Sequence, residues 1–325
     1  MLDLAGQRIL VTGGSGFLGR SVIAKLRRRG VPVEAIAAPS RASFDLTEAT
    51  AAHRMLSDAF PGALPTAIIH CAGFVGGLGA NRAFPAQFFH ENLAMGLHLI
   101  EAARRLGFSE RGVFVQIGTM CSYGAHAPLP YKEESLYIGR PDPEFAPYGV
   151  AKLVLLQMLE AYRLQYGLRS IYLIPTSLYG PGDNLSPETS HLAGALIRRF
   201  VEAADSGTPE VICWGTGSPL RDLIYIDDAA EGVVRALEVL GDPQAGEAGP
   251  INLGSGHEVS VREVAQIIAH HAGYRGRIVW DVSKGDGVPR RSLDTARARR
   301  VLNWDPKMSL DDGLARTIRW YRGRA

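Results

Sequence analysis

Cysteine is scarce in these 325 residues: Cys71, Cys121 and Cys213 stand far apart, with no CxxC pair. That spacing argues against a disulfide framework and a cysteine-rich zinc site, so any thiol chemistry falls to a single side chain and no metal is expected. A surplus of one charge is lacking as well. Lys plus Arg number 35 against 33 Asp plus Glu, a formal +2, which gives no general pull toward nucleic acid or an anionic membrane surface. No apolar run approaches the length that spans a bilayer, and MLDLAGQRILVTGG has neither the basic segment nor the apolar stretch of a secretory leader. A cytoplasmic location is the expectation. Internal repeats and low-complexity tracts are also missing.

What is present is a 46% hydrophobic chain, long enough for two domains or for one large fold with an appended lobe. Arg8 to Thr12, Val33 to Ala37, Ala67 to His70, Val113 to Ile117 and Ser170 to Pro175 read as short buried strands. Gly16 to Arg29, Phe84 to Leu106 and Tyr148 to Tyr166 carry apolar residues at three- and four-residue steps and read as helices. This alternation predicts an α/β fold, a doubly wound parallel Rossmann sheet with right-handed crossovers. Beyond about Gly180 the pattern loosens into a Gly- and Pro-rich loop, a helix near His191 to Ala203, short strands near Val211 and Ile251, and helices near Val261 and Leu310. These read as a smaller carboxy-terminal substrate-binding lobe, residues 180–325, following a first domain of residues 1–179. A strand and a helix in 222–240, the helix capped by Asp227 or Asp228, are expected to fold back onto the first domain.

The first strand runs into Thr12-Gly13-Gly14-Ser15-Gly16-Phe17-Leu18-Gly19, which contains GxGxxG and opens a helix. Glycines permit a tight turn, and a helix amino terminus offers free N–H groups to a pyrophosphate. In this strand-turn-helix setting the motif points to a dinucleotide. An acidic residue at the end of the second strand would select a free ribose 2'-hydroxyl, but the chain there reads Ala38-Pro39-Ser40-Arg41. Arg41 is either the partner of a 2'-phosphate, which selects NADP(H), or a solvated loop arginine, and Asp45 is placed facing the adenine.

Tyr148-Gly149-Val150-Ala151-Lys152 is a YxxxK at the start of a helix, so the two side chains share a face one turn apart. An ammonium near a phenol, together with a nicotinamide cation, favours the phenolate and makes proton exchange with an alcohol or ketone oxygen feasible. Thr119, after the fourth strand, is the expected third hydroxyl, bonding the same oxygen. Cys121, two residues further on, lies at the carboxyl end of the sheet, where open α/β folds bind ligands. Cys71 and Cys213 read as inert small apolar residues, and His70 and His98 as structural. His191, after SPETS, reads equally as the neighbour of a helix cap or as a surface histidine.

At these residues the chain resembles the extended short-chain dehydrogenases, the NAD-dependent epimerase/dehydratase family, and within it the GDP-L-fucose synthases. The likeness spans nearly the whole chain, through HCAGFVGGLGANRAFPAQFFHENL, PEFAPYGVAK, IPTSLYGPGDNLSPETSHLAGALIRRF, WGTGSPLRDLIYIDD and SKGDGVPRRSLD. It implies an NADPH-dependent enzyme that epimerises C3 and C5 of a GDP-4-keto-6-deoxyhexose and reduces C4. Cys121 and His191 are implied as the proton-transfer pair, and Tyr148, Lys152 and Thr119 as the reduction groups. Leu46, Ala72, Pro175 and His191 join the cofactor site by the same resemblance, while Arg199, Trp214, Arg221 and Lys284 fall on the nucleotide and diphosphate of the sugar. A homodimer is implied too. The pattern departs at Thr119-Met120-Cys121, where these synthases carry SSC, and at Ser122-Tyr123-Gly124, where an apolar residue, Tyr and Pro are usual.

The implied chemistry is coherent. A C4 carbonyl acidifies both C3 and C5, because either carbanion is held as an enolate whose oxygen accepts bonds from Tyr148 and Thr119. Two alternatives stand beside it: a related nucleotide-sugar reductase or epimerase with another sugar or partial chemistry, such as C5-only epimerisation, and a non-catalytic cofactor-binding regulator.

Overall fold

Strand β1 (Ile9–Thr12) sends Ile9 and Val11 into one apolar layer and Leu10 into another, and all three are fully buried. A strand covered on both faces needs helices on both sides of its sheet. A computed structural model describes residues 3–110, 112–187, 189–240 and 249–323 of the chain. From β1 the chain passes through α1 (Phe17–Arg28), β2 (Ile36–Ala37), α2 (Ala49–Asp58), β3 (Ala67–His70), α3 (Leu78–Ala83), α4 (Pro85–Arg105), β4 (Val113–Ile117), α5 (Ala146–Tyr166) and β5 (Arg169–Pro175). The second half adds β6 (Ser177–Tyr179), α6 (Leu192–Ser206), β7 (Glu210–Trp214), β8 (Leu220–Arg221), β9 (Leu223–Tyr225), α7 (Ile226–Leu240), β10 (Ile251–Leu253), β11 (Val259–Ser260) and α8 (Val261–His271). It closes with β12 (Arg277–Asp281), β13 (Arg290–Arg291), α9 (Ala296–Leu302) and α10 (Leu310–Arg322). Glu188, inside one of the strings quoted above, lies outside the described residues.

Six strands form a wholly parallel central sheet in the order β10-β5-β4-β3-β1-β2. Residues of α1, α7 and α9 share one apolar layer with it, and residues of α2, α4 and α5 the other. The strand order reverses between β1 and β3, and the crevice beyond their carboxyl ends is where such sheets take ligands. A third apolar cluster, with Phe200 of α6, Ile268 of α8 and Leu314 of α10, holds the carboxy-terminal lobe together around the β7–β12 pair.

Three local expectations change. Only Ile36 and Ala37 of the second predicted strand pair with β1; Val33–Ala35 is a 3-10 turn, with Val33 60% exposed, so nothing apolar draws it into this edge of the sheet. Asp227 and Asp228 do not cap α7 but lie within its first turn, where acidic groups suit the positive dipole end. Asp228 instead accepts the Lys307 and Met308 N–H groups. The strand near Ile251, read with the lobe, joins the central sheet beside β5, where Ile251 and Leu253 bury completely. Among the described residues, no helix is long and apolar enough to cross a membrane.

Candidate functional site

The glycine turn is shaped by contact with β3. Gly13 has φ +65°, and a Cβ there would lie 2.7 Å from the Ala72 nitrogen, so no larger residue keeps both the backbone angle and the approach. Gly19 sits against the Gly13 carbonyl, where a Cβ would come within 2.2 Å. The Gly13 carbonyl also accepts from the Gly16 N–H at 2.9 Å. Ser15 and Gly16 face solvent, and no side chain caps the amino terminus of α1. Uncapped N–H groups at an exposed helix start suit an anion, so the turn fits the pyrophosphate of a dinucleotide. Behind it, Thr12 Oγ1 lies 2.7 Å from His70 Nδ1 and accepts from the Ala72 N–H at 3.3 Å, tying β1 to β3. Burial pushes His70 down to about 3, with Lys152 acting in the same direction, so its ring is neutral.

The structure brings Thr119, Cys121 and Tyr148 together and sets Lys152, one turn further along α5, beside Gly73 and Cys71. β4 leads through Gly118 to Thr119, whose hydroxyl accepts the Cys121 N–H at 3.2 Å and caps the short 3-10 turn Met120–Ser122. Helix α5 packs directly on this turn because residue 149 is glycine: a Cβ there would lie 2.1 Å from the Cys121 carbonyl oxygen. The Ser122 hydroxyl donates to the Gly149 carbonyl at 2.9 Å, fixing the contact. Tyr148 therefore enters beside Cys121, its ring edge-on to Phe88 at 5.8 Å. Burial raises the Tyr148 phenol, negative charge at Cys121 adds to this, and Thr119 opposes it. Desolvation is thus the largest influence in the packed fold and favours the protonated phenol, and the ammonium and nicotinamide cation of the sequence reading act against it. Lys152 is buried and lowered to about 8 by desolvation, with Cys71 opposing, and it remains mostly an ammonium at neutral pH. Cys71 is itself pushed to about 12 by burial, and Cys213 is 2% exposed within the lobe cluster.

The other candidates are more dispersed. His191 is the amino-terminal flank of α6, exposed at the surface yet desolvated enough by its neighbours to favour the neutral imidazole. The loop before it closes onto the turn after β3, with the Gly77 N–H donating to the Thr189 carbonyl at 3.1 Å. Ala72 and Pro175 lie at the carboxyl ends of β3 and β5. Leu46 packs its side chain, 5% exposed, in the layer with Leu10 and Met95, and its carbonyl accepts from His98. Arg41 is exposed and paired with both Glu91 and Asp45. In the lobe, Trp214 is 65% exposed on β7 and Arg199 donates to the Ile212 carbonyl. Lys284 is exposed in a 3-10 turn after β12, one strand away from Trp214 through the Asp281–Trp214 register.

Two residues escaped the sequence reading. β13 pairs with β8 so that Arg291 lies opposite Arg221, and Arg291 Nη1 reaches to 3.9 Å from Cys121 Sγ. Burial lowers Arg221 to about 10, with Arg291 the next cause and Asp286 opposing. Two neighbouring guanidiniums in a partly buried place suit an anion between them. The only signal was the doubled arginine in VPRRS. Asn92 is the second. It binds both the N–H and the carbonyl of Phe74, setting the loop after β3 beside Lys152. A cavity of about 20 Å³ beside Cys121 is lined by Tyr123, Tyr131, Asp142 and Arg291. A wider surface groove of about 440 Å³ near His257, Arg290 and Arg299 holds none of the candidate residues. Among the described residues, no cluster of His, Cys, Asp or Glu is arranged to hold a metal.

Comparison with known proteins matches residues 9–254 to the model of the NAD dependent epimerase/dehydratase family. The chain is 38% identical over 316 residues to the probable GDP-L-fucose synthase 1 of Oryza sativa subsp. japonica, covering 97% of this chain and 92% of that protein. It is 34% identical over 322 residues to the GDP-L-fucose synthase of Escherichia coli K12, covering 98% and 97%. Among solved structures, a GDP-L-fucose synthetase from Naegleria fowleri bound to NADP superposes with a TM-score of 0.84 at 25% identity, covering 98% of this chain and 95% of that one.

Proposed function

Given that this chain belongs to the NAD dependent epimerase/dehydratase family, we propose that it epimerises a GDP-4-keto-6-deoxyhexose at C3 and C5 and reduces it at C4 with NADPH. The observation that carries this reading is the junction of β4 and α5, where a thiol, a phenol, an ammonium and a hydroxyl are assembled beside the switch point of the sheet. Plain reduction needs Tyr148, Lys152 and Thr119. It has no use for Cys121 or His191, and their presence favours epimerisation as well.

The residues act as follows in this reading. Gly13 to Gly19, with Phe17 and Leu18 opening α1, cradle the pyrophosphate, and Arg41 meets the ribose 2'-phosphate. When bound, the dinucleotide supplies hydride to C4. Thr119 and Tyr148 hydrogen-bond the C4 oxygen and stabilise the enolate formed when a neighbouring carbon loses its proton. Cys121, with the Arg291 guanidinium beside its sulfur, exchanges protons on one face, and His191 on the other. Opposite faces produce inversion. The resting phenol of Tyr148 is the form required to protonate the C4 oxygen as hydride arrives, and Lys152 stabilises the phenolate left behind. Arg221 and Arg291 hold the diphosphate, Lys284 adds a point charge, and the exposed Trp214 offers a face for the base. Arg199 supports this by anchoring β7.

A homodimer and a cytoplasmic location complete the proposal. Phe89, Leu97 and Val154 leave apolar surface exposed on α4 and α5, which pack side by side and suit a second copy of the same pair. The test is incubation of the pure chain with NADPH and GDP-4-keto-6-deoxy-D-mannose in deuterated water, with NMR of the product. Deuterium at C3 and C5 with inversion at both supports the reading. Reduction without exchange assigns a plain 4-reductase, and absence of NADPH oxidation removes the enzymatic reading.

A further inference from the structure

Arg41 is not a free cation. Its Nη1 donates to Glu91 Oε2 at 3.0 Å and its Nε to Asp45 Oδ2 at 3.4 Å. The two carboxylates differ in kind. Asp45 is 41% exposed at its side chain and is engaged mainly with Thr47, whose N–H and hydroxyl both bind its other oxygen. Glu91 projects from α4 with its side chain only 10% exposed, and its second oxygen accepts from Gln87 one turn earlier on the same helix. An exposed ion pair contributes little to stability and rearranges readily. A buried carboxylate held at both oxygens stays where it is, as a fixed negative charge under the guanidinium.

That fixed charge bears on what Arg41 can recognise. A 2'-phosphate carries about two negative charges, whereas a 2'-hydroxyl is neutral and can donate to a carboxylate. A lone guanidinium discriminates strongly between them. Here one guanidinium is matched by two carboxylates, so the local field opposes the phosphate even as Arg41 offers it donors. Two of the five Arg41 N–H groups are committed to Glu91 and Asp45, and Nη2 is left to meet an oxygen.

We propose that Glu91 is a specificity-determining residue for the dinucleotide, orienting Arg41 while cancelling part of its charge, so that the preference for NADPH over NADH is narrower than Arg41 alone would confer. The inference rests on the reading that Arg41 meets the 2'-phosphate, and the experiment separates the two. Dissociation constants for NADPH and NADH are measured by calorimetry on the full chain without sugar, for the parent, Glu91→Gln and Arg41→Ala. Glu91→Gln keeps the volume and an acceptor for Arg41 but removes the charge. It is expected to raise the NADPH:NADH affinity ratio about tenfold, almost wholly through tighter NADPH, with the gain shrinking as salt rises from about 0.05 to 0.5 M. Glu91→Met serves as a second neutral variant where the amide does not yield folded protein. A fold defect weakens both cofactors together and leaves the ratio alone. An unchanged ratio in a folded neutral variant overturns the proposal, and a lowered one overturns it by showing that Glu91 only buttresses Arg41. If Arg41→Ala also leaves the parent ratio untouched, the 2'-phosphate reading itself falls.

Discussion

The Arg291 guanidinium crosses from β13 to Cys121, its Nη1 3.9 Å from the sulfur, while its Cζ lies over the Phe145 ring, 4.3 Å from the centre. A guanidinium at this distance offers the sulfur a charge-assisted contact and stabilises negative charge that develops there during reaction. Arg291→Gln is therefore expected to slow alkylation of Cys121 by iodoacetamide about tenfold near neutral pH, with Arg291→Lys recovering part of the rate. Peptide mapping distinguishes Cys121 from the half-buried Cys71 and the buried Cys213. An unaltered rate in the Gln variant would remove Arg291 from any role at the thiol.

Cys121→Ser separates the two halves of the reaction. A serine hydroxyl is far too weak an acid to serve as the base, so solvent deuterium incorporation at C3 and C5 is expected to drop at least a hundredfold, as expected for loss of a general base. Tyr148, Lys152 and the glycine turn are untouched, and a C4-reduced sugar with its original C3 and C5 configuration should still form slowly. A fully inverted product at the parental rate would make the thiol structural.

Tyr148→Phe removes the proton donor and leaves the dinucleotide cradle intact. NADPH oxidation with the keto sugar is expected to fall by about 10² to 10⁴, with NADPH affinity within about twofold of the parent on losing one hydrogen bond at most. Near-normal turnover would contradict the assignment.

Lys152 sets one limb of the pH profile. Its ammonium is lowered to about 8 by burial, so the charged form that stabilises the Tyr148 phenolate is present below that pH and lost above it. The kcat for NADPH-dependent reduction should decline as pH rises through about 8, on a protein whose circular dichroism is constant across the range. A flat profile to pH values well above this would count against Lys152 as the charged partner.

Arg221→Ala deletes one of two adjacent guanidiniums in the lobe. The KM for the sugar nucleotide should rise about 10- to 100-fold, and the KM for NADPH should change little, because charge-assisted hydrogen bonds to the diphosphate are lost. A defect confined to NADPH would place Arg221 at the other ligand.

The features that local chain geometry controls were legible in the sequence. Gly13 to Gly19 follow a strand and open a helix, and Tyr148 and Lys152 lie one helical turn apart, so their spacing alone places them. Alternating apolar runs announced the parallel sheet, because strands buried on both faces must be apolar throughout. The edge strand was misjudged at Val33–Ala35, where turn formation won over a weak apolar pattern with only one neighbouring strand.

Tertiary structure alone decided the rest. Arg291 reaches Cys121 across 170 positions because β13 pairs with β8, and Glu91 meets Arg41 across 50 because α4 packs behind the second strand's loop. Sequence spacing carries no trace of either meeting. The burial of Tyr148 also escaped the motif: YxxxK places an ammonium near a phenol, but only the packed fold shows that desolvation raises the phenol. Periodicity follows from backbone geometry and is written residue by residue along the chain, whereas burial and long-range charge arise from every element that packs around a side chain.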